Sequence, residues 1–372
     1  MSKPKVIAFY LPQYHPTPDN DKWWGKGFTE WTNVGKAKPL FRGHYQPKVP
    51  ADLGYYDLRL PEVREAQAEL AKEAGIYGFC YYHYWFGDGK EELELPFNEV
   101  LRLGKPDFPF MLCWANESWH KKFWNKDGIG SSKEILVEQT YPGKEDHINH
   151  FYRLLPAFKD PRYIRIDNKP AFMIYKPLQF LDITQFINLW NNLAQKEGLE
   201  GIYFIAHNQD ENSESTYNHF INLGFQAVNT VGLYEARRRL LKNKKYKIQF
   251  LIRKYIKKFK KLPYKDSYKI ISENLFVDID SKENVFPSLI SNWDHTPRSI
   301  ENGWVLINST PAKFKDQIKL VFKFVKSKKL KIIFLKSWNE WGEGNYIEPD
   351  IKFGKGYIEA LSRALNENED NE

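Results

Sequence analysis

The sequence predicts an α/β chain folded as a (β/α)8 barrel, with long loops at the C-terminal face of the strands and a basic helical insertion. Three observations predict it. The chain has 372 residues, enough for two ordinary domains or one large single-core barrel. Short apolar, β-branched or aromatic runs alternate with helical patterns, the order that gives parallel pairing through βαβ units. Neither GxGxxG after the first run nor GxxxxGK[ST] anywhere is present, so the phosphate-binding fingerprints of open doubly wound sheets are missing.

The series opens with KVIAFYLPQ (5 to 13), followed by a helical pattern over Pro61 to Ala74. IYGFCYYHYWF (76 to 86) and PFMLCWAN (109 to 116) are the second and third strands, with a helix at Lys144 to Phe158 after them. AFMIYK (171 to 176) precedes a helix at Asp182 to Gln195, and YFIAHN (203 to 208) precedes one at Ser215 to Leu223. FQAVNTV (225 to 231) leads into a basic helix at Ala236 to Leu262. FPSLISNWD (286 to 294) is the seventh strand, with WVLIN (304 to 308) and NLFVDID (274 to 280) competing for the place. A helix at Pro311 to Lys328, the strand KIIFLKSWNE (331 to 340) and a helix at Gly356 to Leu365 complete the count. Insertions are expected between the third and fourth strands and between the sixth and seventh. Residues 1 to 366 read as one catalytic barrel domain, with 236 to 270 as a basic segment inside it and 367 to 372 as a disordered acidic tail.

Composition narrows the function. Hydrophobic residues are 42% of the chain and charged residues 27%, which excludes global disorder. Only Cys80 and Cys113 are present, both inside predicted strands, so no disulfide framework is expected. The start MSKPKVIAFYLPQYHP has an apolar run too short for a signal-peptide core, and no run approaches the ~20 apolar residues that span a bilayer. These features point to the cytoplasm. Aromatics reach 16%, with 12 Trp and 22 Tyr, many beside Asn, His and Glu. Flat faces next to hydrogen-bonding groups suit sugar rings.

The net charge of +8 is local: Ala236 to Leu262 holds thirteen Lys or Arg and no acid, leaving −5 for the remainder. One basic segment on an acidic background, without a nucleic-acid motif, argues against a nucleic-acid partner. The histidines are scattered, with no HExxH, so neither a metal nor another cofactor is expected.

In such barrels the chemistry sits at the C-terminal strand ends. Here those ends read Gln13 and His15, His83 and Trp85, Asn116 and Glu117, Lys176, His207 and Asn208, Asn229, Trp293 and Asp294, Asn339 and Glu340. The strongest local signal is KSWNEWGEGNYIEPD, where Glu340, Glu343 and Glu348 stand beside Trp338 and Trp341. Breaking a glycosidic bond needs one carboxyl to protonate the leaving oxygen and another, ionised, as nucleophile or base. Close carboxylates in a tryptophan-lined wall divide those roles, because repulsion and desolvation keep one protonated. The duller alternative is a surface Glu cluster, with Gly342 and Gly344 merely as turn residues.

The motifs AFYLPQYHP, NDKWWGKGFTEWTNV (20 to 34), GFCYYHYWF (78 to 86), CWANESW (113 to 119), NWDHTPR (292 to 298) and WNEWGEGNYIEPD (338 to 350) occur in that order. With them, the chain from about Lys5 to Leu365 resembles the WbsX-type family of bacterial surface-polysaccharide biosynthesis proteins. That family looks like a relative of glycoside hydrolase family 99, the endo-α-mannosidases. The resemblance implies a (β/α)8 barrel and a carbohydrate-active enzyme of the O-antigen type. It further implies that Glu340 is the base drawing a proton from the sugar 2-hydroxyl, giving a 1,2-anhydro-sugar with net retention. Glu343 would be the acid for the leaving oxygen and then the base for the acceptor. Transfer to a sugar hydroxyl, hydrolysis, and carbohydrate binding without turnover remain as alternatives, with transfer favoured.

Within the basic segment, Ile248, Leu251, Ile252, Tyr255, Ile256, Phe259 and Leu262 recur at helical spacing opposite Lys and Arg. That pattern suits either an anionic membrane surface carrying lipid-linked glycans or an outer barrel helix with its apolar side on the strands. Substrate contact is expected from Tyr10, His15, Trp23, Trp24, Glu30 and Trp31 of the first motifs, and from His83, Trp85, Trp114, Asn116 and Glu117 of the next two. His207, Asn208, Trp293, Asp294, Arg298, Trp338, Asn339 and Trp341 complete the candidates. Glu30 and Arg298 could alternatively pair with each other. The sequence sets no oligomeric state.

Overall fold

The computed structural model describes residues 3–122 and 131–370. Eight strands stand side by side in chain order: β1 (Lys5–Tyr10), β2 (Ile76–Trp85), β3 (Phe110–Trp114), β4 (Lys169–Ile174), β5 (Tyr203–Asn208), β6 (Ala227–Thr230), β7 (Val285–Ile290) and β8 (Ile332–Lys336). All neighbours are parallel, and β1 pairs with both β2 and β8, Ile7 lying opposite Gly78 on one side and Phe334 on the other. The sheet is therefore a closed barrel without edges. Each of the eight strand-like runs contains one barrel strand. WVLIN instead forms Trp304–Ile307, paired with Tyr264–Ser267 in a separate two-stranded sheet, and NLFVDID ends in a turn of 3₁₀ helix at Asp278–Ser281. Both were competitors because apolar β-branched runs look alike whichever sheet they join.

Inside the barrel the Phe9 ring lies 5.4–5.5 Å from those of Tyr82, His207 and Phe334, so the lumen is packed. The outer helices are α3 (Pro61–Glu73), α4 (Leu95–Leu103), α5 (Lys144–Lys159), α6 (Ile183–Lys196), α7 (Glu214–Asn222), α12 (Pro311–Val325) and α13 (Gly356–Asp370). The last continues into the acidic stretch expected to lack structure; the rest of that stretch, 371–372, lies outside the described residues.

The long loops carry structure of their own. The first holds two helices, α1 (Pro18–Trp24) and α2 (Glu30–Lys36), which the apolar pattern does not reveal because each is two turns long and faces mixed surroundings. Their signal lies in the caps: the Thr17 hydroxyl accepts from Asn20 N at 3.1 Å and Pro18 takes the first helical position. The insertion after β3 is a hairpin of Trp119–Lys122 with Ser131–Val137. The insertion between β6 and β7 contains α8 (Leu233–Lys242), α9 (Lys244–Lys260) and α10 (Tyr268–Ser272), and α11 (Thr296–Ser299) follows β7.

The single basic helix expected over 236–262 is thus two. Asn243 has extended backbone, closes α8, and caps α9 by accepting from Tyr246 N at 3.2 Å. α8 packs on a small core of its own that includes Leu233, Ala236, Tyr268, Trp293 and Trp304. α9 turns Tyr246, Phe250, Arg253 and Lys257 toward the protein, and its aliphatic stripe outward: Ile248, Leu251, Ile252, Tyr255 and Phe259 are all more than half exposed. The outer-barrel alternative does not describe this helix.

Candidate active site

At the C-terminal mouth, β8 ends at Lys336 and the chain folds into a two-residue hairpin, Asn339–Glu340 against Asn345–Tyr346, closed by a 3₁₀ turn at Trp341–Glu343. Asn339 fastens this hairpin to the end of β1, its amide group accepting from Leu11 N at 2.8 Å and donating to Leu11 O at 3.0 Å. Two glycines permit the turn. Gly344 has φ +67°, and a Cβ on Gly342 would collide with the Glu30 carboxylate. Gly342→Ala is therefore expected to displace Glu30 or the turn and abolish activity while the barrel remains folded, with circular dichroism as the control.

The hairpin presents Glu340 and Glu343 to one guanidinium. Arg298 Nη1 donates to Glu340 Oε1 at 3.1 Å and to Glu343 Oε1 at 2.8 Å, while its Nε donates to Glu30 Oε1 at 2.8 Å. The Glu30–Arg298 pairing weighed from the sequence is present, as part of this larger cluster. The two Oε1 atoms can be no further apart than the sum of those two bonds, about 6 Å, so both carboxyls can reach the same bound group. Burial and the Glu343 charge raise the Glu340 carboxyl above its ordinary range, against Lys336 and Arg298. Lys336, buried at the end of β8, is held protonated: burial opposes its charge, and Glu340 and Glu343 outweigh burial.

These groups open into a cavity of about 390 Å³. Trp24, Phe28, Glu30 and Asn33 line it from the first loop, Tyr82 and Tyr84 from β2, Glu117, Trp119 and His120 from the third, and Tyr175 from the fourth. Of the sequence candidates, the cavity brings together Trp24, Glu30, Glu117, Arg298, Glu340 and Glu343.

The others lie elsewhere. His83 and Trp85 point out of the barrel, His83 Nε2 lying 2.8 Å from His150 Nε2 and Trp85 stacked on His150. Strand side chains alternate, so the neighbours Tyr82 and Tyr84 face the cavity instead. The same alternation sends Tyr10 outward to Gln67 at 2.7 Å and Trp114 into the Phe180 and Phe186 rings. Trp338 is buried against Phe79, and Trp341 stacks on Tyr346 at 3.7 Å behind the turn. Trp31 packs among Tyr14, Tyr56 and Trp341, and Trp23 lies edge-on to Trp119.

Polar candidates also serve the scaffold. Asn116 bridges Tyr141 and the Lys176 backbone, Asn208 holds its own loop through Glu211 O and Asn212, and Asn339 is the β1 fastener. Asp294 accepts from Gln46 and Thr296 and pairs with His44 at 2.9 Å; burial is outweighed, and its carboxyl is held down at about 2. Trp293 joins the small core under α8. His15 is buried, and His207 lies in the lumen below the cavity, stacked on Tyr175 and lowered to about 3 by burial. Of the lining residues that sequence reasoning missed, Tyr82, Tyr84, Tyr175 and Lys336 sit inside strand runs it had already identified, where alternation was the available signal, whereas Phe28, Asn33, Trp119 and His120 lie on loops.

Glu348 belongs to the scaffold too. It accepts from Trp341 Nε1 at 2.6 Å, Gln67 Nε2 at 2.7 Å and Tyr56 OH at 2.9 Å, and burial pushes its carboxyl up to about 7. A carboxyl raised in the folded state stabilises the fold below its unfolded value and loses that contribution as pH rises through the folded one. Urea melts should therefore show the wild type losing about 3 kcal/mol relative to Glu348→Gln between pH 4 and 8. A constant difference over that range would mean that the fold does not raise the Glu348 carboxyl. Among the described residues no three His, Cys, Asp or Glu side chains gather as a metal site.

A closed (β/α)8 barrel with a carboxylate pair at its aromatic mouth is an arrangement suited to carbohydrate chemistry. Solved structures share the fold: a "Glycoside hydrolase-like protein" at TM-score 0.63 and 14% identity, covering 98% of this chain and 94% of that one. The GH99 endo-alpha-mannosidase from Bacteroides thetaiotaomicron matches at TM-score 0.56 and 14% identity, over 98% and 96%. The chain belongs to the family described as Glycosyltransferase WbsX, whose model matches residues 6–361. Two curated relatives, each an "Uncharacterized protein WxcX" of Xanthomonas campestris pv. campestris, from strains B100 and ATCC 33913, are 32% identical over 97% of this chain. The chain spans about half the length of these relatives, 49%. The chain thus carries the sequence of a family described as a glycosyltransferase on a barrel fold shared with a glycoside hydrolase.

Proposed function

We propose that the chain is a retaining glycosyltransferase acting in bacterial surface-polysaccharide (O-antigen-type) biosynthesis at the cytoplasmic face of a membrane. The observation that carries the reading is the Glu340 and Glu343 pair held within about 6 Å by Arg298 at the cavity floor, close enough for both carboxyls to act on one sugar. Glu340, its basicity raised by burial, takes the proton of the sugar 2-hydroxyl as that oxygen closes on the anomeric carbon. Glu343 protonates the departing oxygen; as the acceptor oxygen attacks the anomeric carbon and the strained ring opens, Glu343 takes the acceptor's proton and Glu340 returns its own to the 2-oxygen, so both acids end as they began. Trp24, Tyr82, Tyr84 and Tyr175 supply ring faces for the sugars, and Glu30 and Glu117 accept from hydroxyls. Mass spectrometry of candidate glycosides incubated with and without an acceptor tests the reaction: an elongated acceptor supports transfer. Free reducing sugar would replace it with hydrolysis, the reaction named in the neighbouring endo-mannosidase, and binding without product would leave a carbohydrate-binding protein.

The partner surface follows from α9. No helix among the described residues is long and apolar enough to cross a membrane. Yet the exposed stripe of Ile252, Tyr255 and Phe259 is flanked by the exposed Lys254 and Lys260, and basic residues near an anionic surface contribute about 1 kcal/mol each. This combination fits an anionic bilayer carrying lipid-linked glycans. Co-sedimentation with phosphatidylglycerol vesicles at low salt is expected for the wild type and lost in Tyr255→Asp/Phe259→Asp. Absence of binding at low salt would end this reading, and dimerisation through α9 in analytical ultracentrifugation would assign the stripe to a second copy of the chain.

A further inference from the structure

Beside the acid pair a second cavity, of about 590 Å³, opens under α8, lined among others by Lys176, Gln209, Asp210, Tyr234, Arg237 and Arg238. Two links join it to the first. Tyr175 lines one cavity and its chain neighbour Lys176 the other. Trp293 stands between them, its ring 5.9 Å from the Lys336 ammonium and 6.2 Å, edge-on, from the ring of Tyr234.

The charge around this cavity is unbalanced. Arg237 and Arg253 share the single carboxylate of Asp266, at 3.2 and 3.0 Å. Arg238 and Arg239 share that of Glu235, at 2.9 and 3.5 Å. Four guanidiniums therefore meet two carboxylates. Lys176 adds an ammonium whose side-chain partner, Gln209 at 3.5 Å, is neutral, while Asp210 on the wall returns one negative charge. The fold also holds Arg237 in place, its guanidinium 5.0, 5.1 and 4.6 Å from the rings of Phe250, Tyr264 and Trp304. An excess of two positive charges, with one guanidinium pre-positioned, is what a phosphate ester needs and a neutral glycan does not.

We propose that this cavity is a subsite for the phosphate or diphosphate of a glycosyl-phosphate substrate, whose sugar reaches past Tyr234 to Glu340 and Glu343. The proposal deepens the glycosyl-transfer reading and rests on it for the placement of the sugar. Phosphate capture itself is measured without turnover, so the two can fail separately. Calorimetry with inorganic pyrophosphate is expected to show saturable binding to the wild type, and a dissociation constant raised about tenfold or more in Lys176→Gln/Arg238→Gln, since each change removes a charge-assisted contact. Both side chains are partly or largely exposed, so the double variant should keep the wild-type melting temperature. Geranyl diphosphate binding more tightly than pyrophosphate would identify a lipid-linked source, and uridine diphosphate binding more tightly a nucleotide sugar. No saturable pyrophosphate binding by the wild type, or equal affinity in the folded double variant, would overturn the proposal.

Discussion

Glu343→Gln and Glu340→Gln are each expected to lower kcat by a factor of about 10² to 10⁴, the range for removal of a general acid or base, while leaving the barrel folded. The fold tolerates either change because Arg298 retains Glu30 and the other glutamate as partners. The two variants should not be additive, since the acids act in one proton cycle. Product formation from the substrate found by mass spectrometry is the readout. Turnover near the wild-type rate in either variant would remove that residue from the mechanism.

Arg298→Met should have the largest effect on stability. The side chain is mostly buried among three carboxylates, and breaking a buried ionic cluster by removing one partner costs up to about 3 to 5 kcal/mol; a fall of up to that size is expected in urea melts. A second consequence separates an electrostatic role from a merely structural one. Without the guanidinium, Glu340 loses one of the two cations that oppose its upward shift, so the carboxyl ionises at still higher pH. The acid limb of the pH profile of kcat/KM should accordingly move to higher pH. A destabilised variant with an unmoved limb would show that Arg298 only holds the loops together.

The sequence made the barrel legible because a buried parallel strand needs a run of apolar residues, and each of the eight runs supplied one. The acid pair was legible for a different reason: Glu340 and Glu343 are three residues apart, so a local turn alone brings them together. The loop contacts were harder. Glu30 and Arg298 are 268 positions apart, and their meeting over Gly342 requires the first loop and the loop after β7 to fold across the same mouth. The aromatic wall was misread by one residue along β2. Tyr82, His83, Tyr84 and Trp85 are all plausible sugar contacts by type, and facing decides among them.

α9 shows the limit most clearly. Its helical period was evident, and so was its charge, but period locates an apolar stripe without saying what the stripe faces. The sequence by itself determined the strands, the close acids and the basic amphipathic helix, since each depends on residues near one another in the chain. Only the tertiary structure decided which face of each strand enters the cavity, that Arg298 ties Glu30 to both acids, and that the α9 stripe looks outward. Those outcomes depend on barrel closure and on loops hundreds of residues apart competing for one mouth, where the energy of a contact belongs to both partners and neither partner's neighbourhood reveals it.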